Sequence, residues 1–355
     1  MIGRLCFIVP GDPDQRTGGY LYDAHIVAEL RGLGMAVDVV GLDGQFPLPC
    51  ARARAAMDEC LGHLPDGASV VIDGLALGGL PDVAEAHAER LDITALVHHP
   101  LADETGLDPD QANTLLASEK RALAACRRVI VTSRFTARRL KSRKLYSNDV
   151  AVVEPGVDRA GLAPAAQAMA AGERSPGPMN LLCVASLTPR KGHGCLFEAL
   201  AQLQQTDWSM VLVGSETRNP EHARQLRRQA QASRLTDRIT WLGELDQAQL
   251  TSAYQQASLC VVPSLYEGYG MVITEALACG LPLVSTTGGA LADTAPDDCA
   301  IKVVPGDADA LAEGLASFLD DAKLRARLCR AALARRQHLP TWASAGHAFA
   351  RAVDR

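Results

Sequence analysis

Short, unbroken apolar runs alternate with longer helical stretches along the whole of this chain, and that alternation leaves it few folds. The first half carries such runs at Leu5–Val9, Ala36–Val40, Val70–Ile72, Thr94–Val97, Val129–Thr132 and Val150–Val153. The second carries them at Leu181–Ala185, Met210–Val213, Ile239–Leu242, Leu259–Val262, Leu283–Ser285 and Ile301–Val304. Most show little polar alternation, the pattern of parallel strands covered on both faces. Between them, Ile26, Leu30 and Leu33 keep i, i+4, i+7 spacing before Gly34, and Leu196, Leu200 and Leu203 repeat it after Gly192. Strand and helix in this order predict two α/β domains, each a doubly wound parallel sheet.

At 355 residues the chain is long enough for two such domains, and 48% apolar content can fill both cores. A charged fraction of 21% and a net charge of −6 speak against a disordered chain and against a nucleic-acid binder. The expected division is a first domain at 1–158 with a C-terminal amphipathic helix at 340–355, a linker at 159–178, and a second domain at 179–339. The linker assignment rests on an Ala-, Gly-, Pro- and Ser-rich stretch without apolar periodicity. The ten cysteines form no CxxC pair and several lie inside apolar runs, so they read as small buried hydrophobes in a reducing compartment. No run has the length of a spanning helix or a signal peptide, so a cytoplasmic protein is expected. Six cations between Arg134 and Lys144 read as a solvated helix face, with contact at the inner face of a membrane as the competing use. Asp12-Pro13-Asp14 spells a metal-binding DxD but reads as a turn after the first strand.

In open α/β sheets, ligands bind beyond the carboxyl ends of the strands. The richest stretch there is Leu259 to Ser285, LCVVPSLYEGYGMVITEALACGLPLVS. A buried strand ends at Pro263, a Gly-containing loop follows, and a helix from about Met271 to Cys279 is closed by Gly280 and Pro282. Gly268 and Gly270 let main chain come close to a ligand, and the amides around Tyr269, Met271 and Val272 open a helix, where anions are held. Glu267 in the loop and Glu275 one turn into the helix are carboxylates able to accept hydrogen bonds from sugar and ribose hydroxyls. After the first strand of the second domain comes Ala185-Ser-Leu-Thr-Pro-Arg-Lys-Gly192, whose Arg190 and Lys191 suit phosphate oxygens.

The string S-x-x-E-G-x-G-x-x-x-x-E-A-L-A-C-G-x-P, with Glu267 and Glu275 as its two acids, resembles the signature of the retaining GT-B glycosyltransferases of family 4. The resemblance implies two Rossmann-like domains facing across a cleft. It places Glu267 on the donor sugar, Glu275 on the ribose and Lys191 on the diphosphate. The family's usual Arg position is Ser186 here, and Arg190 is the candidate to supply that charge. Gly18 and Gly19 resemble the family's Gly-Gly loop, which lets the first domain approach the donor. His98, at the end of the fourth strand, resembles the family's active-site His, which contacts the donor sugar near its reactive centre, with His99 as its alternative. Gly214, Gly243, Glu244 and Leu245 fall where the family's base-binding loops lie.

The function this implies is retaining transfer of a hexosyl group from a UDP- or GDP-linked sugar to a hydroxyl of a saccharide, lipid or small molecule. The donor would sit in the second domain and the acceptor mainly on the first. A nucleotide-sugar epimerase or hydrolase of the same fold, or a non-catalytic nucleotide-sugar-binding protein, are the competing readings. No cofactor and no metal are expected, because the His pair shows no carboxylate or Cys partner in a recognisable spacing. No nucleic-acid partner is expected, and the sequence is silent on oligomeric state.

Overall fold

The computed structural model describes residues 3–173 and 178–354. The chain divides into two compact units, Met1–Gly156 with Pro340–Arg355, and Val157–Leu339.

In the first unit six parallel strands form one sheet. They are β1 (Arg4–Pro10), β2 (Ala36–Leu42), β3 (Ser69–Asp73), β4 (Asp92–Val97), β5 (Arg128–Val131) and β6 (Ala151–Val152), in the order β2-β1-β3-β4-β5-β6. Leu5 pairs with Val37 on one side and Ser69 on the other, so the winding direction changes between β1 and β3. Strands β1, β3 and β4 are buried almost end to end, which explains their unbroken apolar sequence. The first helix, Gly18–Gly32, turns Tyr22, Asp23, Ile26, Val27 and Leu30 inward. The apolar members keep the helical period, and Asp23 is an acid on the buried face. The last helix, Trp342–Val353, packs on that first helix. Trp342 stacks on His25 at 4.1 Å between ring centroids, and Phe349 lies 6.3 Å from Phe7.

The second unit repeats the architecture with β7 (Met179–Val184), β8 (Trp208–Val213), β9 (Ile239–Trp241), β10 (Leu259–Val262), β11 (Leu283–Thr286) and β12 (Ala300–Val303). Its order is β12-β11-β10-β7-β8-β9, all parallel. The winding reverses between β7 and β10, where Leu259 pairs with Leu181 and Cys260 with Leu182. Such a switch point leaves a crevice at the carboxyl ends of the two strands.

The stretch expected as a linker at 159–178 contains a helix, Pro164–Ala171, packed on the helix Ala322–Arg335. Ala166 and Met169 are buried, and the Ala163 amide donates to the Cys279 carbonyl at 2.9 Å. The sequence hid this helix because alanine on every face leaves no apolar period to read. Residues 174–177 of that stretch lie outside the described residues. Asp12-Pro13-Asp14 is a turn, with the Asp14 amide donating to Asp12 Oδ1 at 2.9 Å. No cysteine is in a disulfide, and most are buried. Among the described residues no helix is long and apolar enough to cross a membrane. The cationic run forms the helix Arg134–Ser142, where Arg139 and Arg143 pair with Asp103.

Candidate functional site

Strand β10 delivers the chain to Pro263 at the switch point of the second sheet, and the helix Met271–Ala278 begins after Gly270. Gly270 has φ +89, and a Cβ there would meet Leu291, so the loop's last turn demands glycine. Ile273, Ala276 and Leu277 bury the helix against the sheet.

Glu267 is fixed at both levels. Its amide donates to the Gly288 carbonyl at 3.3 Å and its carbonyl accepts from the Ala290 amide at 2.8 Å, so the loop after β11 holds its main chain. Its side chain is buried. Oε1 accepts from Lys191 Nζ at 2.5 Å and from Ser264 Oγ at 2.7 Å, and Oε2 accepts from Arg190 Nη1 at 3.2 Å. Burial alone would raise this carboxyl's pKa. The charges of Lys191 and Arg190 and the hydrogen bonds from Lys191 and Ser264 outweigh that, holding it at about 2.

Both cations come from the short turn Pro189–Lys191 after β7. The following Gly192 has φ +70, and a Cβ on it would run into the Pro263 carbonyl. The Arg190 carbonyl accepts from the Leu265 amide at 2.8 Å, and Arg190 Nη1 also donates to the Tyr266 carbonyl at 2.8 Å. The β7 and β10 loops are therefore stitched together. Arg190, Lys191 and Glu267 meet there with two positive charges against one negative. Gly268, Tyr269, Met271 and Val272 lie half-buried beside this cluster in sequence.

Glu275 is half-buried one turn into the helix and accepts from the Tyr254 hydroxyl at 2.6 Å. Burial raises its pKa, and the Tyr254 hydrogen bond pulls it back. Gly214 and Gly243 end β8 and β9 side by side, with the Gly214 amide donating to the Gly243 carbonyl at 2.8 Å. Glu244 is exposed and Leu245 half-buried.

In the first unit, Gly18 and Gly19 are the opening residues of the helix Gly18–Gly32, where a loop was expected. The Thr17 carbonyl accepts from the Leu21 amide at 2.8 Å and starts the helix at this point. A Cβ on Gly18 would meet nothing within 4 Å, and one on Gly19 would lie 3.5 Å from the His98 ring. His98 and His99 have different partners. His99 Nε2 is 3.2 Å from Glu104 Oε2, whereas His98 Nε2 is 3.2 Å from Asp23 Oδ1 and 3.6 Å from Asp73 Oδ2. Carboxylates therefore accompany both histidines, at spacings that the sequence pattern did not mark. Ligand atoms of Asp23, Asp73 and His98 lie within 4.8 Å of one another. Burial lowers the His98 pKa, but Asp23 and then Asp73 outweigh it and raise it to about 9. Asp73 is itself raised by burial, against the pull of His98.

Sequence reasoning missed Asp23, Asp73 and Tyr254, and passed over Ser264 although it opens the signature string. Separately, the first unit holds a cavity of about 870 Å³ between β1, β2 and the helix Ala51–Gly62, lined by Arg4, Cys6, Asp38 and Cys60 among others. None of the expected site residues line it, and Arg4 is already paired with Asp38 at 2.8 Å.

The sequence profile described as glycosyl transferases group 1 matches residues 166–335. A D-inositol 3-phosphate glycosyltransferase of Streptomyces avermitilis is 30% identical over 325 residues, 85% of this chain and 68% of the relative. One from Salinispora tropica is 33% identical over 248 residues, 63% of this chain and 50% of the relative. Across four relatives of that name the chain spans 50% to 63% of their length. Among solved structures, a sucrose-phosphate synthase from Thermosynechococcus elongatus superposes with a TM-score of 0.80 at 23% identity, covering 98% of this chain and 97% of that one. The Anabaena protein HepE, in complex with UDP-glucose, gives 0.74 at 16% identity and covers 99% of each chain. These likenesses establish the GT-B fold.

Proposed function

This chain belongs to the glycosyl transferases group 1 family, and we propose that it moves a hexosyl group, with retention, from a nucleoside diphosphate sugar to an acceptor hydroxyl. Membership of the family supports the glycosyltransferase activity; the donor, the stereochemistry and the acceptor are our finer reading. The observation that carries it is the cluster of Arg190, Lys191, Ser264 and Glu267 at the switch point of the second sheet, with the N-terminus of the helix Met271–Ala278 following it in the chain.

A leaving nucleoside diphosphate gathers negative charge as the glycosidic bond breaks, and fixed cations and amides that meet that charge lower the barrier. On this reading Glu267 holds Lys191 and Arg190 in place before the donor arrives. Phosphate oxygens then take over part of their hydrogen bonding, and the released carboxylate oxygens of Glu267 accept from the donor sugar's hydroxyls. Glu275, aimed by Tyr254, accepts from the ribose. Gly214, Gly243, Glu244 and Leu245 offer main-chain groups to the base. The second unit is the donor unit and the first is mainly the acceptor unit. No protein carboxylate acts as nucleophile: the donor phosphate helps remove the acceptor proton on the same face as it departs. No metal is needed for charge neutralisation in this scheme.

HepE in complex with UDP-glucose makes UDP-linked hexoses the first donors to try, and the inositol 3-phosphate glycosyltransferases make inositol 3-phosphate a first acceptor. A panel of UDP- and GDP-sugars, with and without acceptors, tests the proposal. Acceptor-dependent release of nucleoside diphosphate with an α-linked product from an α-linked donor supports it. Turnover without acceptor, an inverted product, or binding without turnover contradicts it.

A further inference from the structure

Asp23, Asp73 and His98 reach one point from three elements: the helix Gly18–Gly32, the end of β3, and the residue after β4. Both carboxylates approach the same ring nitrogen, Nε2. An ionised Asp23 only accepts, so its 3.2 Å contact is made to an Nε2 that carries a hydrogen. Asp73 is anchored, because its Oδ1 accepts from the Leu75 amide at 2.7 Å and caps the helix Gly74–Leu77. Asp23 is only 4% exposed, and its Oδ2 is buried without a hydrogen-bond partner. A buried carboxylate so poorly satisfied needs a compensating charge or proton; the ring and Asp73, itself raised by burial and by Asp23 beside it, are the groups in reach.

The rest of the surroundings agree. Tyr22 meets the His98 ring edge-on at 5.5 Å, but its hydroxyl is committed to the Val153 carbonyl at 2.9 Å and burial keeps it protonated. After β5 and in the helix Arg134–Ser142, the hydroxyls of Thr132 and Thr136 donate to the His98 carbonyl at 3.3 and 3.2 Å. The ring keeps 19% of its side-chain surface exposed, and Nδ1 has no hydrogen-bond partner among the described residues.

We propose that Asp23 is a positioning residue which, together with Asp73, grips His98 through Nε2 and keeps its ring doubly protonated, so that Nδ1–H is a charged donor for a hydroxyl oxygen of the bound sugar. The link to the sugar rests on the reading that His98 meets the donor. A hydroxyl suits this place better than a phosphate, because two carboxyl groups, Asp23 and Asp73, flank the ring. Asp23 acts through His98 and touches no substrate.

Asp23→Asn keeps the shape and the accepting oxygen while removing the charge. The probe is the carbon-bound ring protons of the full chain's histidines, followed by NMR against pH, with His98→Gln to assign the resonance. The expected midpoint for His98 is about 9, falling by about one unit or more in Asp23→Asn. Transfer at saturating donor should decline as pH rises through that midpoint, and in Asp23→Asn the decline should move down by the same interval, with KM changed less than kcat. A wild-type midpoint at or below 6.5 overturns the proposal without any variant. An unmoved titration in a folded Asp23→Asn overturns the grip. A moved titration with an unmoved rate profile overturns the link to the sugar. Selective broadening of the His98 resonance by Mn²⁺, with a rate that requires the metal, would make the trio a cation site and overturn the proposal altogether.

Discussion

In the second unit a buried carboxylate is surrounded by cations; in the first a buried imidazole is surrounded by carboxylates. Glu267 sits among Lys191 and Arg190, with one positive charge left over. His98 sits between Asp23 and Asp73, with one negative charge left over when the ring is protonated and both carboxyl groups are ionised. The two sheets share an architecture, and each cluster lies at the carboxyl ends of central strands, yet the surplus charge is opposite. A positive surplus suits a diphosphate and a negative one suits hydroxyls.

The largest effect should come from breaking the second cluster. Glu267→Ala and Lys191→Ala should each lower kcat/KM by about a hundredfold or more, since removing one preorganised charge from such a site typically costs that much. Circular dichroism should show both variants folded. Near-native turnover in either would remove the basis for the contrast between the units.

The two clusters should also respond to pH in opposite directions. Glu267 is depressed from 4.5 to about 2, so the stability it contributes is present above 4.5 and lost as pH falls toward 2. His98 is raised from 6.5 to about 9, so its contribution is complete below 6.5 and lost as pH rises through about 9. Thermal melts of the wild type and of His98→Gln, taken from pH 6 to 10, should converge at the alkaline end. Melts of the wild type and Glu267→Gln should converge at the acid end instead. Parallel curves would deny the linkage.

A smaller effect belongs to Tyr254→Phe, which removes one hydrogen bond to Glu275 and leaves the packing. It should weaken nucleoside diphosphate binding by about 1 kcal/mol while kcat changes little, as measured by calorimetry. An unchanged affinity would mean that Glu275 is not held for the ribose. The smallest effect is expected from Gly18→Ala. A Cβ there meets nothing, so Tm should stay within about 1 °C. A drop in transfer at unchanged Tm would show that a ligand, and not the fold, requires this glycine.

What the sequence made legible follows the same contrast. Parallel strands buried on both faces, such as β1, β3 and β4, are written as unbroken apolar runs, and each of the twelve runs read from the sequence overlaps one of the twelve strands. The contact of Arg190 and Lys191 with Glu267 joins two strand-end loops, each of which carries its residues consecutively in sequence. The first unit's trio is written nowhere as a string. Asp23 reads as one more polar residue in a helix, and Asp73 as an acid ending a strand. Only the adjacency of β1, β3 and β4 brings them to His98. Tyr254 escaped for the same reason, since its partner Glu275 lies on a different helix. The helix Pro164–Ala171 escaped for another, its buried and exposed faces both being alanine-rich.

The central claim is that Lys191 belongs to a diphosphate site. Calorimetric titration of the nucleoside diphosphate and of the bare nucleoside, into the wild type and Lys191→Ala, tests it most directly. The account predicts that the variant binds the diphosphate at least about tenfold more weakly, a loss of about 1.4 kcal/mol, with nucleoside binding unchanged. Equal affinity of both proteins for the diphosphate would contradict it.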